Sequence, residues 1–287
     1  LHEAIKQRLQ EFDYSLSMFN PQSVISKVNG NDSVVTDSLF EAMYHEAYAI
    51  SVLSNGAFDI TVAPLVNAWG FGFKQGRFPD SLMVDSLLQI TGYQKVSMTE
   101  AGEVTKQDER MMLNCSAIAK GFAVDVIANL LKSKGVENMM VDIGEIFCDG
   151  VNPSGRPWTI GIDRPVDGNS TPGAALQEIF HVPAGPHGVV TSGNYRKFYI
   201  KDGRKYAHTI DPRTGYPVEH NLLSATVTAP DATLADAFAT CCMVIGLEEA
   251  KELIGTVPDL EACLIYDEDG EMKSWCSDGF MLVTSQK

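Results

Sequence analysis

Apolar residues recur at intervals of three and four in several parts of the chain, which predicts amphipathic helices. Residues 1–16 show this spacing among charged residues and predict a surface helix. Residues 36–53 show it over a longer stripe, and Asn55-Gly56 marks the end of that predicted helix. The apolar positions of the stripe are Leu39, Met43, Ala47, Ile50 and Leu53. Further helices are predicted at 81–91, at 114–133, around Asp236 and at 247–253.

Shorter β-rich runs lie between the predicted helices. The segments predicted to contain strands are 95–113, 142–145, 158–163, 263–266, 271–273 and 280–283. The second and third of these are expected to build a core sheet, and Asp269-Gly270 predicts a hairpin turn between the fourth and fifth. Helices and strands that mix without strict alternation predict the α+β class.

The segment from Trp69 to Gly76 is rich in glycine and aromatic residues. It lacks the G-x-G-x-x-G order, and no β-branched run precedes it, so it does not indicate a dinucleotide-binding fingerprint. We predict a structural aromatic loop.

The composition is ordinary for a soluble globular protein, with 45% hydrophobic and 21% charged residues. The formal net charge of −15 argues against nucleic acid as a partner, because polyphosphate would be repelled. An anionic ligand would need local cations, and Lys120 and Arg213 are candidates. No run of eighteen apolar residues occurs, so the sequence predicts no transmembrane helix. The six cysteines lack C-x-x-C and zinc-like spacing; most are expected to be buried, although an exported protein could pair some of them.

The segment from Tyr206 to Thr240 carries the clearest candidate chemistry. Asp236 and Thr240 stand four residues apart in an apolar stretch, so a helix would place them on one face. A buried carboxylate needs a hydrogen-bonding partner or a cation, and Mg²⁺ prefers oxygen ligands. The alternative is that Thr233 and Asp236 form a capping box at the helix start, and this helix taken alone favours that alternative.

The run HTIDPRTGYPV followed by LADAFAT resembles the signature of the ApbE-type flavin transferases, also called FAD:protein FMN transferases. The blocks FDITVAPLVNAWGFG, AIAKGFAVD, VDIGE, RPWTIGIDRP and TSGNYRKFY resemble other blocks of that family in the same order. The resemblance extends from about Leu16 to the end of the chain. It implies one domain over residues 1–287 with a T-fold-like architecture, in which two intimately packed subdomains enclose a central FAD cleft.

The resemblance also implies which residues form the site. Asp236, Thr240 and the main-chain carbonyl of Ala117 would hold Mg²⁺, since Ala117 has no side-chain donor. The residues that match FAD contacts of the family are Leu16, Ala57, Phe58, Asp59, Asn114, Lys120 and Ile210. Two of these have plain structural alternatives, because Phe58 can be a buried turn residue and Lys120 a solvated helix lysine.

Two positions depart from the family pattern. Asn114 stands where the family often has Asp, which keeps a polar group but removes a charge. Asn194 replaces the usual Asp in the T-S-G-D-Y block.

The implied reaction is the transfer of FMN from FAD to a threonine hydroxyl of a target protein, with release of AMP. His208 could act as general base on that hydroxyl, because imidazole titrates near neutral pH, although a lone histidine is more often structural. Two other functions stay open. Water could replace the hydroxyl, which would make the protein an FAD pyrophosphatase, or the protein could bind flavin without turnover.

The chain begins at Leu1 without a methionine or signal peptide, which suggests a processed or trimmed chain. Family members are often exported lipoproteins. The resemblance therefore implies a periplasmic location and a possible lipid anchor on a segment that precedes Leu1.

Overall fold

The computed structural model describes residues 1–72, 78–166, 169, 171–195, 198–201 and 204–283. The described residues form two compact units. The first consists of residues 1–119 and 210–218, and the second of residues 120–209 and 219–287. Part of the predicted aromatic loop, residues 73–76, lies outside the described residues. The intimate packing of two subdomains within one domain stays a prediction.

Helices dominate the first unit. Its elements are α1 (His2–Leu16), α2 (Val24–Gly30), α3 (Ser38–Leu53), α4 (Ala63–Ala68), α5 (Ser81–Leu88), β1 (Val96–Met98) and β2 (Val104–Lys106), with short 3₁₀ turns at Ile60–Val62 and Tyr93–Lys95. The predicted helices at 1–16, 36–53 and 81–91 are confirmed, and α2 and α4 were not predicted. Strands β1 and β2 pair in antiparallel orientation, as expected for residues 95–113.

Local caps set the ends of α3. Asp37 accepts hydrogen bonds from the backbone N–H groups of Leu39 and Phe40, which satisfies free donors at the helix start. At the other end, Asn55 and Gly56 adopt positive φ angles of 49° and 76° and stop the helix. The predicted stripe is buried except at Leu53, which is 59% exposed because it stands in the last, outward-facing turn.

The helix predicted from residue 114 begins five residues later, as α6 (Ala119–Ser133). The N–H of Asn114 donates to the carbonyl of Ile60 (2.6 Å), and its side chain accepts from the N–H of Ser116 (2.9 Å). These bonds hold an Asx-type turn that competes with the helix. The prediction of a helix start at Asn114 was therefore wrong.

Strands dominate the second unit. After α6 its elements are β3 (Met139–Asp142), β4 (Ile146–Asp149), β5 (Thr159–Asp163), β6 (Leu176–His181), β7 (His187–Gly193), β8 (Phe198–Lys201), β9 (Arg204–Ala207), β10 (Leu222–Ala229), α7 (Ala232–Ile245), α8 (Leu247–Thr256), β11 (Glu261–Glu268) and β12 (Glu271–Cys276). Six strands form an antiparallel sheet in the order β12-β11-β10-β7-β4-β3. The ribbons β5–β6 and β8–β9 are separate. The predicted hairpin is confirmed, with Asp269 and Gly270 in its turn at positive φ.

Three strand predictions need correction. In the segment 142–145, residues 143–145 form the turn between β3 and β4. The strand predicted at 158–163 is present as β5, but in a different sheet from the one expected. Residues 158–163 do not join the six-stranded sheet, because β5 pairs with β6 instead. Ile162 and Phe180 of that ribbon pack against Val189 and Cys263 of the large sheet. The apolar pattern of β5 therefore predicts that the strand is buried, but it does not predict which strand it pairs with. Residues 280–283 form no strand beyond a single bridge between Leu282 and Phe180.

Helix α7 packs on β7 and β10 at very short range. A Cβ atom added to Gly188 of β7 would lie 2.3 Å from the backbone N and Cα of Ala232, the first residue of α7. The facing residues Ala225, Val227 and Ala229 of β10 are fully buried. Small residues therefore set how closely the helix approaches the sheet.

We predict that Gly188→Ala lowers the free energy of unfolding by about 2–4 kcal/mol, because the new methyl group meets backbone atoms that cannot rotate away. Gly255→Ala is the matched control, since no atom lies within 4 Å of its Cβ position and the residue lies in α8. That control should be neutral or stabilising by up to about 1 kcal/mol. Urea unfolding followed by circular dichroism measures both changes, and equal stabilities of the two variants would contradict the prediction.

Candidate active site

The start of α6 and the second turn of α7 meet around Asp236. The carboxylate of Asp236 is 3% exposed, and its Oδ2 accepts a hydrogen bond from the backbone N–H of Gly121 at 2.9 Å. A Cβ atom on Gly121 would lie 2.1 Å from the carbonyl oxygen of Ala232 and 2.8 Å from the Cβ of Asp236. Glycine is therefore required at residue 121 for the two helices to come this close.

Asp236 does not cap its own helix. The N-cap of α7 is Asp231, whose carboxylate accepts from the N–H of Leu234 at 2.8 Å. The hydroxyl of Thr233 donates to Asp125 on α6, so it takes no part in a capping box with Asp236. The capping alternative was wrong, and the Asp236 carboxylate lies against the start of another helix.

Asp125, which lies on α6, accepts hydrogen bonds from the first turn of α7. Its Oδ1 accepts from the N–H of Ala232 (2.9 Å), and its Oδ2 accepts from the N–H (2.7 Å) and hydroxyl of Thr233. Burial raises the pKa of Asp125 to about 6, although these hydrogen bonds act in the opposite direction. The sequence reasoning missed this residue. Its position four residues after Gly121, on the buried side of α6, was the available signal.

Lys120 stands next to Gly121, and its positive charge acts on Asp236. Burial raises the pKa of Asp236 to about 6, while the Gly121 hydrogen bond and the Lys120 charge lower it. Lys120 forms an ion pair with Glu145, which lies in the turn between β3 and β4. The side chain of Glu145 is 5% exposed and that of Lys120 is 57% exposed. Lys120 is therefore solvated in part but held by a buried partner, which the sequence reasoning did not identify.

The oxygen donors on α7 suit magnesium. Among the described residues, no group of three or more His, Cys, Asp or Glu side chains could hold a metal ion. Mg²⁺ does not need such a group, since it usually takes one or two carboxylates and completes its shell with water and substrate phosphate. Asp236 has one protein hydrogen bond on a carboxylate that offers about four acceptor sites, and the Thr240 hydroxyl lies one turn later on the same helix. Ala117 belongs to the first unit.

Within the first unit, three distant segments that match FAD contacts lie together. The thiol of Cys115 donates to the carbonyl of Leu16 at 3.4 Å, and the neighbouring Asn114 is bonded to Ile60. Ala57 and Phe58 are 1% and 2% exposed as whole residues, so the interpretation of Phe58 as a buried turn residue is correct.

Asp59 fixes the wall of a cavity in the same unit. Its Oδ1 accepts from the N–H (2.7 Å) and hydroxyl (2.6 Å) of Thr61, and its Oδ2 accepts from the N–H of Tyr93 (2.7 Å). Burial raises the pKa of Asp59, and the three hydrogen bonds oppose that shift. The cavity of about 290 Å³ is lined by Asp59 together with Asn55, Gly56, Leu88, Thr91, Gly92, Tyr93, Gln94, Pro212 and Arg213.

Arg213 brings a positive charge to this cavity. Its guanidinium donates to both oxygens of Asp211, with Nη2 to Oδ2 at 2.9 Å. Ile210, a predicted FAD contact, is 5% exposed and forms a bridge to Pro217 on the other side of the turn. The turn at residues 211–215 thus carries a cation that lines the cavity.

His208 follows β9 in the second unit and is half-buried. The hydroxyl of the next residue, Thr209, donates to Oδ1 of Asn194 at 2.7 Å. This bond joins the TSGN and HTI blocks. The general-base role of His208 stays a prediction.

The comparisons with known proteins identify the family of this chain. The family model described as the ApbE family matches residues 1–264. The chain is 35% identical to the FAD:protein FMN transferase of Escherichia coli K12, over 98% of this chain and 80% of that protein. Two solved structures match over 96% of this chain. The flavin transferase ApbE of Vibrio cholerae has a TM-score of 0.84 at 32% identity with 88% of its chain covered, and the apo flavinyl transferase ApbE of Pseudomonas stutzeri has 0.85 at 30% with 85% covered.

The chain therefore belongs to the ApbE family. This confirms the resemblance read from the sequence blocks and the α+β class with the ApbE architecture. No helix among the described residues has both the length and the apolar character needed to cross a bilayer.

We predict that Asp125→Ala lowers the free energy of unfolding by about 2–4 kcal/mol, because two backbone N–H groups and a hydroxyl lose their buried acceptor. Asp231→Ala, which removes an ordinary N-cap from the same helix, should cost about 1 kcal/mol. Chemical denaturation of both variants measures the difference. A smaller loss for Asp125→Ala than for Asp231→Ala would show that the interhelix acceptor is unimportant.

The pKa of Asp125 also predicts a pH dependence. The folded chain binds the Asp125 proton up to a pH of about 6, whereas an unfolded Asp releases it near pH 4. Protonation therefore favours the folded state, and this contribution to stability is lost as the pH rises from about 4 to about 6. Between pH 4 and pH 7, the unfolding free energy of Asp125→Ala should fall by about 2 kcal/mol less than that of the wild type. Parallel pH profiles would contradict this assignment.

Proposed function

We propose that this chain is an FAD:protein FMN transferase, which moves FMN from FAD to a threonine hydroxyl of a target protein and releases AMP. The names of its relatives support flavin transfer. The observation that carries the proposal is the Asp236 carboxylate, buried against the start of α6 with most of its acceptor sites uncommitted to the protein.

Asp236 and Thr240, with the Ala117 carbonyl that the family resemblance implies, would hold Mg²⁺. A bound Mg²⁺ neutralises charge on the FAD pyrophosphate and on the departing phosphate. The chain itself fixes the acceptor oxygens, because the Gly121 N–H holds Asp236 in one orientation and α7 sets the one-turn spacing to Thr240. The cost of burying the carboxylate, visible in its raised pKa, is offset when a cation binds.

Lys120 would supply the second positive charge. Glu145 holds its ammonium group at the start of α6, where the helix dipole also favours an anion. More than half of the Lys120 side chain is exposed, so a phosphate can reach it without breaking the fold. This local charge counters the net charge of −15 that an anionic dinucleotide meets.

In the proposed step, the threonine hydroxyl oxygen of the target attacks the phosphorus of the FMN half of FAD. A P–O bond forms to the threonine, the P–O bond to the AMP half breaks, and AMP leaves with that electron pair. His208 would accept the hydroxyl proton. Little covalent work falls to the protein, so positioning and electrostatics carry the rate.

The first unit would bind the rest of FAD. Leu16, Ala57, Phe58, Asp59, Asn114 and Ile210 are the proposed contacts in this unit. Ala57, Phe58 and Asp59 are themselves buried, so their proposed role is to support the FAD site from below its surface. Asp59 shapes the cavity by holding Thr61 and Tyr93 in place.

The cellular location of the protein is proposed from the family resemblance alone. A periplasmic location and a lipid anchor ahead of Leu1 would place the enzyme beside exported target proteins. Fractionation of cells that make the protein with its native leader tests this location.

Incubation with FAD and Mg²⁺, with and without a peptide that carries an acceptor threonine in a flavinylation motif, tests the function. We expect AMP release that depends on the peptide, and a peptide mass increased by one FMN, because the hydroxyl is the nucleophile. AMP release without peptide would identify an FAD pyrophosphatase instead. Flavin binding without any AMP would identify a binding protein, and either result would overturn the transferase proposal.

We predict that Asp236→Ala lowers the rate of AMP release at least about 100-fold, since one charged ligand to Mg²⁺ is lost. It should also weaken Mg²⁺-dependent FAD binding, which flavin fluorescence measures. Asp231→Ala on the same helix is the control and should keep the activity, because its carboxylate binds only the helix start. Wild-type activity in a folded Asp236→Ala protein would rule out the metal role.

A further inference from the structure

Two cysteines face each other across the hairpin formed by β11 and β12. Cys263 and Cys276 are direct partners in the antiparallel register, and β12 is the edge strand of the six-stranded sheet. All six cysteines are free thiols in this structure. Nothing in the proposed flavin transfer uses this pair, so the inference goes beyond that function.

The hydrogen-bonding pattern shows which kind of cross-strand pair this is. The next pair along the ladder is Ala262 with Ser277, and the N–H of Ser277 donates to the carbonyl of Ala262 at 2.9 Å. The N–H of Ala262 donates to the hydroxyl of Ser277, so both bonds link the same two residues. Along an antiparallel ladder, hydrogen-bonded pairs alternate with non-hydrogen-bonded pairs. Ala262 and Ser277 form a hydrogen-bonded pair, so their neighbours Cys263 and Cys276 form a non-hydrogen-bonded pair.

That kind of pair suits a disulfide. Its Cα atoms lie about 4.5 Å apart, within the range of about 4.4–6.8 Å that disulfides need. The two thiols are already hydrogen-bonded to each other; this bond, followed by burial, raises the pKa of Cys263. The bridge can therefore form without a shift in strand register.

The two cysteines differ in how deeply they are buried. Cys263 is fully buried in an apolar cluster with Cys148, Phe180 and Phe280, whereas Cys276 is only half-buried at its edge. An oxidant can reach Cys276 first, and Cys263 is in place to resolve the product. This is the usual division between an attacking and a resolving cysteine.

We propose that Cys263 and Cys276 are a thiol–disulfide exchange site, at which a small or protein disulfide converts the pair to a cross-strand disulfide that ties the edge strand β12 to β11. The Cys276 thiolate attacks one sulfur of the oxidant and releases one thiol. The Cys263 thiolate then attacks the sulfur of Cys276 and releases the second thiol. Two electrons pass from the protein to the oxidant, and the two cysteine protons leave to solvent or to the released thiolates.

Treatment of the folded full-length chain with oxidised glutathione tests the proposal. We expect a loss of about 2 Da, one for each thiol hydrogen, and a cross-linked peptide that contains residues 263 and 276. The melting temperature should rise by about 5 °C and return on addition of a reductant, because the bridge closes a loop in the unfolded chain.

Three variants make the result specific. Cys276→Ser should give no cross-link, and Cys263→Ala should stop at a mixed disulfide between glutathione and Cys276. Cys148→Ala, which changes a fully buried cysteine of the same cluster, should oxidise as the wild type does. Six free thiols in the folded wild type after treatment would overturn the proposal, as would a cross-link that maps to Cys148. Neither result bears on the transferase assay, which depends on other residues.

Discussion

The close approach of α6 and α7 is the constraint on which the second unit depends. Ala232, the first residue of α7, lies against Gly188 of the sheet and against Gly121 of α6, and neither glycine has room for a Cβ atom. With the helix start fixed from two sides, the position of Asp236 one turn later follows from helix geometry. The hydrogen bond from the Gly121 N–H to Asp236 exists because the backbones come this near.

Three acids surround this contact, of which Asp125 and Asp236 are buried and Asp231 is half-buried, and they differ in what they bind. Asp231 and Asp125 accept from backbone N–H groups at the start of α7, and Asp125 accepts a hydroxyl as well. Asp236 accepts a single N–H. Burial raises the pKa of all three, so burial alone does not separate a structural acid from a functional one. The number of acceptor sites still available separates Asp236 from Asp125, which accepts three hydrogen bonds, while Asp231 is the N-cap of its own helix.

Much of the fold could be predicted from the sequence, since periodicity locates α1, α3 and the β11–β12 hairpin without knowledge of their partners. The errors arose where tertiary contacts decide. The side chain and N–H of Asn114 form bonds that delay the start of α6, and β5 pairs with β6 although its apolar pattern equally suits a place in the large sheet.

The same limit applies to the site. Ordered blocks of residues identified the family, but the partners of its residues could not be read from one sequence. Glu145 forms an ion pair with Lys120, which lies 25 residues earlier in the chain. Asp125 accepts a hydrogen bond from the start of a helix that begins 107 residues later. Such pairs leave no periodic signal, because each is set by how separate elements pack.

The effect of the chain's negative charge on the proposed anionic substrate depends on the distance between the charges. At physiological ionic strength, exposed charges more than about 8 Å apart are largely screened from one another. The net charge of −15 therefore acts mainly on the rate at which an anionic dinucleotide approaches. Affinity depends on the few groups within reach, and there the Lys120 ammonium is already held by a buried carboxylate. The buried partner reduces the charge that Lys120 presents, so in the proposed function a cation bound at Asp236 would add to the attraction for a pyrophosphate. An acidic protein whose lysine at the proposed site is already paired would therefore gain affinity for an anionic substrate from a divalent metal.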